Sequence, residues 1–220
     1  MKRFIQSGIL VAAAALLSAP GLAAQLKGNM FRWYVGGQGG VTFFETPSQT
    51  RSGIPTAGGS LVITAKRTAL MLSVDEAFGD NELTSYIDPS AAGGQRSVTF
   101  NDIRKYSAVL MVYPLKSPAQ PFIGIGGGIM HLHNPQPAGP FATPDEQANA
   151  QRVASELGST GFGTFVAGLQ LQAGGIQLYG MYQITTSPAE GKLLTGPTHA
   201  FVGGLRLSLG GAKESITGGE

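Results

Sequence analysis

Residues 162–185 read FGTFVAGLQLQAGGIQLYGMYQIT and alternate between two kinds of side chain. Leu169 belongs to an apolar series at every second position, and Gln170 belongs to the polar series between them. Strict alternation over about ten residues is typical of a strand with one buried face. Gly174 and Gly175 separate two such runs, and glycine reaches positive φ at little cost, so a tight turn is predicted. This stretch is therefore predicted to be a β-hairpin.

The alternation leaves open which face of the hairpin is buried. A soluble barrel hides its apolar face, whereas a membrane barrel turns that face to lipid and its polar side chains to the lumen. A soluble periplasmic, lipocalin-like carrier of a small apolar ligand requires Leu169, Leu171 and Leu178 to point inward. A membrane barrel requires them to point outward.

The N-terminus indicates the compartment. Lys2 and Arg3 precede the short apolar run 9–17, and small residues follow at 18–24. This pattern predicts a secretory signal peptide over 1–24. The chain has no cysteine, which excludes a disulfide framework and a lipid anchor on cysteine. No later stretch is long and apolar enough to predict a transmembrane helix.

Charge and composition argue against a nucleic-acid partner. The chain has 15 basic and 13 acidic residues, and removal of Lys2 and Arg3 with the signal peptide leaves 13 of each sign. Only 13% of the residues are charged, and 33 are glycine. A neutral, glycine-rich secreted chain suits a β-barrel in lipid better than a nucleic-acid binder.

The rest of the chain predicts an all-β protein with eight strands. Their predicted ranges are 27–44, 59–66, 68–78, 96–115, 121–133, 162–172, 176–185 and 198–209. The alternation loses its phase between residues 100 and 106, which predicts a bulge in the fourth strand. The connections after strands two, four and six are short, and the others are long. This asymmetry predicts an antiparallel up-and-down transmembrane barrel with both termini in the periplasm.

One short helix is predicted in the longest connection, over residues 144–157. Thr143 is a good N-cap, Pro144 suits the first helical position, and Asp145 and Glu146 favour the first turn. Gly158 predicts the stop.

The predicted barrel has a polar lumen and aromatic girdles. An eight-stranded barrel is about filled by its own side chains, so we expect no wide pore. The polar lumen residues are predicted to be Arg32, Gln38, Asp75, Gln170, Gln172, Gln177, Tyr179 and Arg206. The interfacial aromatics are predicted to be Phe31, Trp33, Phe43 and Phe44.

Two glycine-rich strands carry a resemblance to a known family. PFIGIGGGI at 121–129 and FVGGLRLSLG at 201–210 resemble strands of small eight-stranded outer-membrane proteins, such as the transmembrane domain of outer-membrane protein A. The resemblance implies a bacterial outer-membrane barrel over 25–210, contacts with outer-membrane lipid, and assembly machinery that recognises the last strand. Where that family usually places a terminal aromatic, this chain has Leu209. Residues 211–220 are then a flexible tail.

The sequence predicts no catalytic residue, metal or cofactor. His131 and His133 share a strand face near the outer rim and are candidate ligands, but a metal site needs at least a third ligand. Outer-membrane lipid A deacylases carry a His-x-Ser motif on such a barrel, and here the third position is His133. A lipid-modifying enzyme thus remains an alternative that needs a serine or carboxylate beside His131. The favoured function is structural, or an interaction with an extracellular partner through the outer loops.

Overall fold

The computed structural model describes residues 31–91, 93–115 and 117–212, with residues 211 and 212 described by backbone alone. The predicted signal peptide and the last eight residues lie outside this range. Within it the chain forms nine strands and one helix. The elements are β1 (Phe31–Glu45), β2 (Ser52–Thr64), β3 (Thr68–Ile87), β4 (Gln95–Val112), β5 (Ala119–His133), β6 (Gln136–Pro137), α1 (Pro144–Leu157), β7 (Ser159–Ala173), β8 (Ile176–Thr185) and β9 (Thr195–Ala212).

Eight long strands close into an antiparallel barrel, as predicted. Each pairs with the next along the chain, except that β5 pairs directly with β7. The first and last strands complete the cylinder, with Val35 opposite Leu207 and Gly39 opposite Gly203. The two-residue strand β6 only adds a short ladder to the far end of β4. Since β9 continues to Ala212 and pairs with Phe31, the barrel includes two residues of the predicted tail.

The two ends of the barrel differ in the length of their connections. At one end, here named the turn end, segments 65–67, 113–118 and 174–175 join the strands, and both β1 and β9 have their free ends there. At the other, named the loop end, segments 46–51, 88–94, 134–158 and 186–194 join them. The predicted hairpin turn is present, and Gly174 has a φ of 60°.

The β3–β4 hairpin is longer than predicted. Most of the loop predicted over 79–95 is strand, because residues 82–87 pair with residues 95–100 beyond the expected bulge. The register shifts between Phe78 and Glu82, and the inward positions on β4 change from Phe100 to Ile103. The predicted break of phase is therefore confirmed, but the strands continue past it. Likewise β2 begins at Ser52 inside a predicted loop.

The apolar faces of the strands point away from the lumen. Leu169, Leu171 and Leu178 have 48%, 48% and 54% of their surface exposed. Their orientation contradicts the soluble carrier, which needs these residues inside. Similar exposed side chains surround the barrel: Leu70, Leu72, Val74, Leu110, Val112, Ile123, Ile125, Ile129, Phe165, Phe201, Leu205 and Leu209.

The interior contains two buried apolar clusters. The turn-end cluster includes Tyr34, Met71, Met111, Tyr113 and Phe122. The loop-end cluster contains Phe44, Tyr86, Val98, Phe100, Ile103, Met130, Leu132, Ala154, Phe162, Leu193 and Leu194, among others. Buried polar side chains lie along the same inward faces.

The predicted helix is confirmed as α1. The Thr143 hydroxyl accepts a hydrogen bond from the Glu146 backbone N–H at 3.1 Å, and Pro144 opens the helix. Gly158 caps its end and donates its N–H to the Ala154 carbonyl. No helix among the described residues is long and apolar enough to cross a bilayer.

Candidate functional site

The predicted lumen residues lie on the inward faces of the strands. Six of them are buried: Gln38, Asp75, Gln170, Gln177, Tyr179 and Arg206. Arg32 and Gln172 are half-buried at the turn end, where the Gln172 amide donates to the Tyr34 hydroxyl at 3.4 Å. Period-two alternation identified these positions because each inward face is continuous along its strand.

A chain of polar contacts crosses the lumen. The Arg206 guanidinium lies over the Tyr179 ring, 3.6 Å from its centroid. The Tyr179 hydroxyl donates to the side-chain oxygen of Gln38, and the Gln38 amide donates to Asp75 Oδ1. Ser73 donates to the other carboxylate oxygen of Asp75 at 3.1 Å. One buried cation is thus connected to one buried carboxylate through neutral groups.

Sequence reasoning missed Lys105, which is 2% exposed inside the barrel. Its ammonium group donates to the Gln183 side-chain oxygen at 3.3 Å, and the Gln183 amide donates to Thr164 at 3.2 Å. Lys105 follows the break of phase in β4, so its inward orientation could not be read by counting from Phe100. It was within reach by counting back from Val109 in steps of two.

The loop end of the barrel is covered by two segments. Leu193 and Leu194, from the β8–β9 connection, are 0% and 4% exposed and pack with Ala154 of α1 in the loop-end cluster. Thr84 donates to the Leu193 carbonyl at 2.6 Å, and Leu193 donates its N–H to the Leu157 carbonyl at 3.3 Å. The helix and this connection therefore form a cap over the mouth.

Arg96 joins connections at the loop end to one another. It is 3% exposed and pairs with Asp88, and its Nη2 lies 2.8 Å from Glu146 of α1. It also donates to the Ala138 carbonyl at 2.9 Å and lies over the Phe141 ring, 4.5 Å from the centroid. The sequence shows charges of both signs in these connections, but it does not show which of them pair, because the partners of Arg96 come from separate connections.

The same cluster shifts the titration of Asp88. Hydrogen bonds from the Ser90 hydroxyl and then from Arg96 lower the pKa of Asp88 from 3.8 to about 2. The carboxylate is therefore ionised whenever the cap is in place above strongly acidic pH.

The four predicted interfacial aromatics occupy two different environments. Trp33 is 39% exposed on the outer wall, and Phe43 makes an edge contact with Phe201, 6.4 Å between centroids. Phe31 is half-buried at the turn end. Phe44 was wrongly assigned: it is 1% exposed and contacts Phe100 inside the lumen. Phe44 is separated from Gln38 by an even number of residues along β1, so its side chain points into the lumen as that of Gln38 does. The adjacent Phe43 points to the opposite face.

The two histidines lie exposed on the outer wall near the loop end. Ser159 of β7 lies opposite His131, and its hydroxyl is 2.6 Å from His131 Nδ1. On the other side Arg104 lies opposite His131 and contacts both carboxylate oxygens of Glu76 at 2.9 Å. The serine absent from the local motif is thus supplied by a neighbouring strand. No group of three or more metal-binding side chains occurs among the described residues.

Comparisons with known proteins agree with this architecture. The crystal structure of Neisserial surface protein A (NspA) superposes with a TM-score of 0.53 at 8% identity, covering 80% of this chain and 96% of NspA. The chain has the fold of an eight-stranded outer-membrane β-barrel. The outer membrane protein OprG from Pseudomonas aeruginosa also matches, with a TM-score of 0.40 at 10% identity, over 84% of this chain and 96% of OprG. No protein-family model and no curated protein matches the chain.

Proposed function

We propose that this protein is a closed barrel of the bacterial outer membrane that acts through its loop end, in a structural or interaction role. The observation that carries the proposal is the set of side chains buried in the lumen. Apolar clusters occupy both halves of it, and Leu193, Leu194 and Ala154 pack together at its mouth. Such a lumen favours a closed barrel over a wide pore, so we assign the activity to the exposed surfaces.

The outer wall supports a location in lipid. Its exposed side chains form the apolar surface that a membrane barrel turns to acyl chains. Charged side chains occur on the outward faces nearer the loop end. There Glu76 and Arg104 pair with each other, one outward position beyond Val74 and Tyr106. In this orientation the short turns and both strand termini lie in the periplasm, and the assembly machinery meets the closing strand β9.

An extracellular partner has a candidate surface on the β3–β4 hairpin. Beyond the Glu76–Arg104 pair, Phe78, Leu83 and Ile87 are 48%, 46% and 80% exposed on the outward face of β3. Apolar side chains held in water above a membrane favour contact with another protein. We call these three residues the outer ridge, and its partner is a protein with a complementary apolar patch.

The closure is tested in planar bilayers. Purified, folded protein is expected to give no conductance steps and no uptake of small sugars by liposomes. Reproducible steps from the folded, heat-modifiable species would contradict the closed lumen.

The outer ridge is tested by a photo-crosslinking residue at position 87 in intact cells, with position 178 on the lipid-facing wall as control. A discrete protein adduct at 87 alone is expected, and adduct-free protein at both positions argues against a partner.

A second candidate function follows from Ser159 and His131. A serine hydroxyl 2.6 Å from an imidazole nitrogen is the geometry of an activated nucleophile, and its place on the outer wall suits a lipid ester. Triads also hold the base with a third group, and no carboxylate hydrogen-bonds to His131 among the described residues. If the site hydrolyses lipid esters, Ser159→Ala abolishes release of fatty acid from outer-membrane lipid, whereas Thr160→Ala does not. Equal release by both variants excludes this activity.

A further inference from the structure

Arg206 is a fully buried cation that forms no ion pair with any described residue. Its side chain is 0% exposed, and its Nε donates to the Ser60 hydroxyl at 3.3 Å. Its Nη2 donates to the Met71 sulfur at 3.1 Å, the guanidinium also interacts with Tyr179, and Nη1 has no acceptor among the described residues. Thioether sulfur is a weak acceptor. A guanidinium has five N–H donors, so most of its hydrogen-bonding capacity is unused here.

Among the described residues the buried charges of the lumen do not balance. Arg96 at the loop end is paired with Asp88 and Glu146, which leaves two buried cationic side chains, Arg206 and Lys105, and one buried carboxylate, Asp75. The oxygens of Asp75 already accept from Gln38 and Ser73, and Asp75 forms no ion pair within 4 Å with either cation, although it is close enough to Lys105 to interact electrostatically. A buried charge that lacks a counter-ion is costly in a medium of low dielectric constant. The interior therefore favours an additional negative charge.

A second unused donor lies in the same region. The Tyr113 hydroxyl is buried without a hydrogen-bond partner in the turn-end cluster, which also contains Met71 and Tyr179, the two side chains that Arg206 contacts. Tyr113 is close enough to Arg206 for the two side chains to interact electrostatically. Two donors that lack acceptors thus share one part of the lumen.

We propose that the turn-end half of the lumen binds a small monovalent anion of the chloride class, held by Arg206 Nη1 and the Tyr113 hydroxyl. The bound anion balances the excess positive charge and accepts hydrogen bonds from both unused donors, Arg206 Nη1 and the Tyr113 hydroxyl. Its role is to stabilise the folded barrel, because buried apolar clusters lie in both halves of the lumen and do not favour passage of an anion. The competing arrangement satisfies Nη1 with water or with the unpaired oxygen of Gln177, which lies opposite Arg206 across β8 and β9.

The test measures thermal unfolding of the whole protein in detergent at constant ionic strength while chloride or bromide replaces gluconate. Anion binding predicts an unfolding midpoint that rises with halide concentration and saturates, since a ligand that binds only the folded state stabilises it by mass action. A midpoint that follows ionic strength alone, with no halide dependence, overturns the proposal.

A matched pair of variants locates the site. Tyr113→Phe removes one donor and is expected to weaken the apparent halide affinity about tenfold or more, because hydrogen bonds to charged groups are strong. Tyr86→Phe is the control, since it also removes one buried tyrosine hydroxyl, but Tyr86 lies in the loop-end cluster beside Arg96. Equal halide titrations in the two variants would overturn the site.

Crystals soaked with bromide give a second test of the anion site. Anomalous signal beside Arg206 supports the site, and signal at the surface alone contradicts it.

Discussion

Replacement of Arg96 by methionine tests how the outer cap is held together. The substitution keeps a long, flexible side chain but removes the charge that pairs with Asp88 and Glu146. Their side chains are only 13% and 21% exposed, so water compensates poorly for the lost partner. Breaking a buried ion pair from one side costs about 3–5 kcal/mol. Partial access of water to both carboxylates places this case at the lower limit, ~3 kcal/mol.

The barrel strands do not depend on Arg96, so the loss is expected in local opening of the cap. A change of ~3 kcal/mol increases the open population roughly 100-fold. Hydrogen–deuterium exchange of segments 88–94 and 134–158 measures this population directly. We expect both segments to lose protection together in Arg96→Met, while the central residues of β7 and β8 keep theirs.

The matched control is Arg152→Met on the same helix. Arg152 pairs with Glu156 at 2.7 Å, and both side chains are 61% exposed, so its loss is expected to cost at most about 0.5 kcal/mol. If Arg96→Met changes exchange less than about threefold, or no more than Arg152→Met does, the assigned role of Arg96 is refuted.

Three further predictions concern pH, glycine packing and the cap. The pKa of Asp88 is lowered from 3.8 to about 2 in the folded protein, so its contribution to the stability of the cap is complete above pH 3.8 and is lost as the pH falls through about 2. Hydrogen exchange of segment 88–94 should therefore rise only between these pH values, and Asp88→Asn should remove this pH dependence. Gly36→Ala should prevent assembly of a heat-modifiable barrel, because its Cβ would lie 2.0 Å from a β9 carbonyl oxygen, whereas Gly180→Ala has no atom within 4 Å and should assemble normally. Leu193→Ala should destabilise the cap by about 2–4 kcal/mol through the cavity it leaves, seen as faster exchange of segment 186–194.

The barrel and much of its polar lumen follow from local alternation. Side chains on a strand change sides at every residue, so Gln170, Gln177 and Arg206 could be assigned once their strands were recognised. The helix was equally accessible, because its N-cap and stop are properties of adjacent residues.

The remaining features depend on contacts between distant residues. Pairing across the β3–β4 hairpin keeps residues 82–87 extended although they lie within the acidic loop predicted over 79–95. The change of parity after Phe100 obscured Lys105. Ser159 and His131 are 28 positions apart in the chain, and they come into contact because β5 and β7 are neighbours in the barrel. Register between strands supplies this information, and no local pattern contains it.

Labelling of single cysteines in intact cells tests the central claim, a barrel inserted in the outer membrane with its loop end outside. The chain contains no cysteine, so one can be introduced at Ser187 of the β8–β9 connection or at Lys66 of the β2–β3 turn, both of which are exposed. A membrane-impermeant maleimide is expected to label position 187 in intact cells, and position 66 is expected to react only after the outer membrane is permeabilised. Labelling of position 66 but not 187 in intact cells would contradict the orientation, and release of the protein with soluble periplasmic contents would contradict the membrane barrel.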